Sequence, residues 1–179
     1  EVKSHLPIIN KVIKNMHRKN SKEKFLISRS SNIDMKIYAK YFSNKKYVSI
    51  VTNENIYKTI DRCKIAVAAS GTITLQIALK KIPMCVFYKL SNATYLIVKF
   101  LVKTKFISLV NIILNKKAIE EYIQGDASAK NIENEIEKIN NNESYRENLI
   151  KDIGMIEKIL SDDTYTTNIN ELILKSLTN

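Results

Sequence analysis

The sequence predicts an α/β protein in which a parallel sheet carries helices on both faces. Short apolar runs of the kind that can be buried on both sides alternate with helical patterns four times. The spacing between them is short throughout, which favours crossover helices on a parallel sheet over an all-helical bundle. One run, at 65–68, is uncharged and passes directly through Ser70 and Gly71 into a helical pattern at Ile73, Ile77 and Ala78. That junction reads as strand, tight turn and helix.

The chain opens with a helix over 1–20, where Leu6, Ile9, Val12, Ile13 and Met16 recur at helical spacing and Pro7 falls near the start. Phe25, Leu26 and Ile27 form a short strand, and Ser31 or Asn32 is placed to cap a helix through Met35, Ile37 and Tyr41. A second strand at 47–51 precedes a short amphipathic helix marked by Ile56, Ile60 and Cys63. Pro83 stops the helix that follows the central turn, 84–88 forms another strand, and 92–103 reads as a helix with Leu96, Ile97, Phe100 and Leu101 on its apolar side. Residues 107–114 are apolar except for Asn111, which is either a turn residue or a polar group aimed at something. Helices are expected at 117–123, 128–140, 143–160 and 165–177, with Asp126 or Ser128 capping the second and Ser144 with Glu147 forming a capping box on the third.

With 179 residues, 45% of them hydrophobic, the chain can bury a core of its own. Three glycines and two prolines mark no flexible linker, so one compact unit is the simplest organisation. The net charge of +11 would suit nucleic acid or an anionic membrane. The lysines are scattered, the chain is rich in Lys, Asn and Ile throughout, and no Arg-rich arm or nucleic-acid motif occurs, so a nucleic-acid partner is not expected. Cys63 and Cys85 read as reduced core residues, His5 and His17 as surface or helix-end residues, and neither pair has the spacing of a metal site.

The central turn has the chemistry of an anion site. Gly71 lets backbone approach a ligand, the amides of Thr72, Ile73 and Thr74 fall at a helix start, and Ser70, Thr72 and Thr74 add hydroxyls. No residue from 66 to 80 is acidic. An ordinary N-cap explains Ser-Gly-Thr equally simply.

The run Ala-Val-Ala-Ala-Ser-Gly-Thr-Ile-Thr-Leu-Gln at 66–76, then Ile-Pro-Met at 82–84, Val-Phe-Tyr-Lys-Leu-Ser at 86–91, Leu-Val-Lys at 101–103 and Ile-Ser-Leu-Val-Asn-Ile-Ile-Leu at 107–114 resembles the C-terminal half of lipid-A-disaccharide synthase. The resemblance continues through Glu121 and Gln124. It implies a Rossmann-like domain, the C-terminal half of a GT-B glycosyltransferase, followed by C-terminal helices. The implied reaction joins UDP-2,3-diacylglucosamine to 2,3-diacylglucosamine 1-phosphate and releases UDP, with no metal and no cofactor. Ser70, Gly71, Thr72 and Thr74 would then cradle the donor diphosphate, with Gln76, Tyr88, Asn111 and Gln124 as further donor-side residues. Two positions depart from the family pattern: Gln76 stands where a ribose-binding Glu is usual, and Val110 where Pro is frequent. A carboxamide offers one accepting atom and no charge, so ribose binding is expected to weaken.

By the same resemblance, residues 1–142 form the UDP-sugar donor domain with its first strand missing, and 143–179 form helices that pack on the sheet or on a partner subunit. The acceptor pocket and the catalytic base belong to the other half. The chain is therefore expected to be inactive alone, a donor-side piece or one half of a two-chain enzyme, with a homodimer or an N-terminal-half chain as partner. The alternative is a non-catalytic interaction subunit. Acylated substrates imply work at the cytoplasmic side of a Gram-negative inner membrane, where Lys99, Phe100, Lys103 and Lys105 form a basic amphipathic segment suited to anionic lipid. An ordinary helix packed on the sheet accounts for the same residues.

Overall fold

The computed structural model of the protein describes residues 2–52, 56–69, 71–90 and 105–161. The expected helices 92–103 and 165–177 lie outside these residues, as do Ser70, Lys99, Phe100 and Lys103.

Helix α1 (Val2–Lys19) buries Leu6, Val12, Ile13 and Met16 and runs on through Pro7, which forfeits one helical hydrogen bond. Strand β1 (Phe25–Arg29) leads to α2 (Met35–Phe42), capped by Asp34, whose side chain accepts from the Lys36 amide at 2.9 Å. The expected caps at Ser31 and Asn32 are thus corrected: the carboxylate nearest the first turn wins the position. Strand β2 (Val48–Thr52), helix α3 (Ile56–Ile60), strand β3 (Ala66–Ala69), helix α4 (Ile73–Leu79) and strand β4 (Met84–Tyr88) follow in the expected order.

Beyond β4 two expectations change. Residues around Asn111 are not a turn but helix α5 (Leu109–Leu114), with Ser108 as N-cap. In place of a helix over 117–123 stands strand β5 (Glu121–Ile123), because it finds a ladder on β4, Val86 opposite Glu121 and Tyr88 opposite Ile123. Helix α6 (Ala129–Asn141) is capped by Ser128, as one of the two expected candidates. Helix α7 (Glu143–Ser161) begins before the expected capping box, and Asn142, not Ser144, accepts from the Tyr145 amide at 2.9 Å.

Among the described residues all strand pairings are parallel. They form two ladders, β1 with β2 and β3-β4-β5, rather than one. The ladders share a surface all the same, since Phe25 of β1 and Val67, Cys85 and Phe87 of the larger ladder pack on one cluster with Val12 and Met16 of α1 and Ile132 of α6. The opposite face of β3 and β4, with Ala68, Met84 and Val86, packs against α3, α4, α5 and α7 through Ile60, Ile77, Val110 and Ile153. Helices therefore cover both faces of the larger ladder.

Cys63 and Cys85 are free thiols, and burial pushes both pKa values up, most strongly at the fully buried Cys85. His5 is corrected from a surface residue to a buried one, 8% exposed, with its ring edge-on to Phe87.

Near-buried Glu135 ties β5, α6 and α7 together. It accepts from the Tyr145 hydroxyl at 2.6 Å and from Tyr122 at 3.4 Å. Burial and then Glu135 raise the pKa of both phenols above the ordinary value of 10.0. A raised folded pKa contributes stability below the unfolded value and loses it as pH rises. The thermal midpoint is expected to fall above about pH 10, and Tyr145→Phe should flatten that decline. Differential scanning fluorimetry from about pH 8 to 11 tests this, and a slope unchanged in the variant contradicts it.

Candidate functional site at the carboxyl rim

Ligands of parallel α/β sheets bind beyond the carboxyl ends of the strands. Register places three expected residues at that rim. Ala69 pairs with Phe87 and Tyr88 with Ile123, so Gly71, Tyr88 and Gln124 each follow or end a neighbouring strand. Gly71 has φ 145°, a conformation that side chains rarely adopt, and a Cβ built there would meet nothing within 4 Å. Among the described residues the glycine is required by its torsion rather than by crowding.

Thr72 is exposed and its side chain makes no capping bond. Thr74 is fully buried, and its amide and hydroxyl both donate to the Gly71 carbonyl, at 3.1 and 2.8 Å. Neither group is then available to a ligand. The Thr72 and Ile73 amides have no partner among the described residues. Gln76 is half-buried one turn further along α4.

The exit from β4 is held from two sides. Gln124, at φ 50°, donates its amide to the Tyr88 carbonyl at 2.9 Å and accepts from the Leu90 amide through Oε1, also at 2.9 Å. On the other side Ser4 Oγ donates to the Lys89 carbonyl at 3.0 Å, and His5 Nε2 accepts from the Lys89 amide at 3.0 Å. The start of α1 therefore sits at the rim. In sequence His5 read only as a surface or helix-end residue, with no sign of its partner 84 positions away.

Asn111 is not brought to the rim. It is fully buried and spans the α5–β5 connection: Oδ1 accepts from the Ala118 and Ile119 amides at 2.8 and 3.0 Å, and Nδ2 donates to the Ile119 carbonyl at 2.9 Å and Glu121 Oε1 at 2.8 Å. Glu121 also accepts from the Ile107 and Ser108 amides at 2.9 and 2.8 Å, anchoring the start of α5. Glu121 entered the sequence reading only through the family resemblance, on a segment expected to be helical, with no site role assigned to it. Of the membrane-facing candidates only Lys105 is described; it is exposed, 5.7 Å from the Phe106 ring centre. No described helix is long and apolar enough to cross a membrane.

Parallel strands sheathed by helices, with a glycine turn at the carboxyl rim, define a Rossmann-like α/β domain of the kind that makes up half of a GT-B glycosyltransferase. The family model for lipid-A-disaccharide synthetase matches residues 1–171, and the chain belongs to that family. It is 27% identical to lipid-A-disaccharide synthase 1 of Legionella pneumophila strain Lens over 177 residues, 99% of this chain and 46% of the relative. It is 30% identical to the Rickettsia bellii lipid-A-disaccharide synthase over 169 residues, 94% of this chain and 44% of the relative. The Acinetobacter baylyi enzyme is 45% identical over 100 residues, 56% of this chain and 25% of the relative. The chain thus spans about half the length of the relatives that it matches end to end.

Proposed function

We propose that this chain is the donor-side half of a glycosyltransferase that joins UDP-2,3-diacylglucosamine to 2,3-diacylglucosamine 1-phosphate, giving the lipid A disaccharide 1-phosphate and UDP. The observation that carries the reading is the family match across nearly the whole chain, on a fold that gathers Gly71, Tyr88 and Gln124 at the ligand-binding rim. In the transfer, the bond from the anomeric carbon to UDP breaks with its electron pair on the diphosphate. The acceptor hydroxyl oxygen bonds to that carbon and gives its proton to a base in the other half. Charge growing on the departing diphosphate is met at the turn by the Thr72 and Ile73 amides and by the Ser70 and Thr72 hydroxyls. Gln76 would accept from the ribose. The donor domain is read as 1–142, though α7 packs into the same core as β3 and β4.

The chain does not turn over alone in this reading, because the acceptor pocket lies elsewhere. The alternative reading is a non-catalytic interaction or split-enzyme subunit. The working place is the cytoplasmic surface of a Gram-negative inner membrane, contacted through Lys99, Phe100, Lys103 and Lys105.

UDP is expected to raise the thermal midpoint, by about 2.7 kcal/mol of stabilisation at a hundredfold excess over its dissociation constant. Gly71→Val should lose most of that shift, since valine cannot adopt the turn without strain. Thr72→Val, at an exposed position, provides a variant that folds normally. A midpoint unmoved by millimolar UDP, or moved equally in wild type and both variants, would count against the site.

A further inference from the structure

The outward face of α1 carries a second feature, away from the rim. Asn10, Lys11, Lys14, His17 and Arg18 recur at helical spacing and, with Tyr47 before the amino end of β2, line a cleft of about 410 Å³. Tyr47 accepts from the Phe25 amide at 2.8 Å, so the cleft lies where β1 and β2 begin, opposite the end bearing Gly71 and Gln124.

None of the lining residues is acidic. Among the described residues Lys11, Lys14 and Arg18 form no ion pair, whereas Lys19, one position on, is paired with Glu137. Arg18 reaches a carboxylate only through Asn15, which accepts from its guanidinium at 2.6 Å and donates to Glu133 at 2.8 Å. Lys45 is held below its usual pKa by burial and then by the like charge of Lys14.

Two polar atoms on the cleft's lining residues, Asn10 Oδ1 and His17 Nδ1, are closed off from solvent and lack partners among the described residues. The His17 ring is stacked on Tyr47, 3.6 Å between centres and 12° from parallel, which fixes its orientation. Three cations thus line the cleft with no acidic residue among its lining.

We propose that this cleft is a phosphate-binding site, taking the phosphate group of a small phosphate ester or of a phospholipid head. Three cations exceed what one carboxylate would use, and a phosphate offers enough oxygens for Lys11, Lys14 and Arg18 together.

Chemical-shift titration of the full chain with inorganic phosphate at low ionic strength, in parallel with flotation on phosphatidylcholine vesicles containing phosphatidic acid, tests the site. Saturable binding is expected in at least one arm, with Asn10 and His17 resonances moving in the soluble one. A Lys14→Gln, Arg18→Gln double variant should bind about tenfold more weakly or worse. The charge-matched Lys130→Gln, Lys151→Gln variant, altered at exposed positions on α6 and α7, should bind as wild type. Loss confined to the vesicle arm identifies a lipid head as the source, and loss in the phosphate arm a soluble ester. Equal weakening by the two double variants, shifts that avoid Asn10 and His17, or no saturable binding in either arm would overturn the proposal.

Discussion

Asn111→Leu is expected to lower the thermal midpoint by roughly 5–15 °C, equivalent to about 2–4 kcal/mol for a chain of this size. The substitution keeps the volume but strands the Ala118 and Ile119 amides, the Ile119 carbonyl and one oxygen of Glu121, all bonded to the carboxamide in the native chain. Each buried group left without a partner costs about 1–3 kcal/mol, and some regain water as the loop relaxes. Asn111→Asp separates the parts of the effect. It retains acceptors for the two amides, loses both donations, and sets a second carboxylate against Glu121. Like charges raise the folded carboxyl pKa, so this variant should recover stability as pH falls towards the carboxylate range. Urea denaturation of the three proteins at two pH values reads the difference. A leucine variant as stable as wild type but weakened towards UDP would instead make Asn111 a donor ligand.

Ile153→Ala is the second large effect, expected at about 2–5 kcal/mol. Ile153 is fully buried in the cluster that contains Met84 and Val86 of the central strand and Ile77 and Ala78 of α4. If α7 belongs to the same folding unit, the variant unfolds in one transition at lower denaturant, whatever the spectroscopic probe. A helix folding apart from residues 1–142 would show a separate early step and leave the main transition in place. Met155→Ala, two residues on and 44% exposed, should stay within about 0.5 kcal/mol of wild type.

The strands from β1 to β4 were legible because apolar runs flanked by charge or turn residues admit few other structures. Strand β5 was not. Ile119 and Ile123 stand four apart, as on a helix face, and only the ladder to β4 decides otherwise. The caps at Asp34 and Asn142 were missed for a related reason: several polar residues stood close together, and local sequence does not rank them. Asn111 in an apolar run announced a polar role, but whether it served a ligand or its own backbone depended on where 118–121 returned in space. At the central turn Gly71 was legible from its place between strand and helix, whereas the inward turn of the Thr74 hydroxyl was not, since Thr72 and Thr74 look alike in sequence.

Along β1 and β3, on the sides away from their partners, rows of main-chain donors and acceptors have no ladder among the described residues. Such rows act as templates onto which another copy of the chain can zip. Dilution is therefore a working variable for this protein: at high concentration edge-to-edge association would cap the rows and bury surface beside the carboxyl rim.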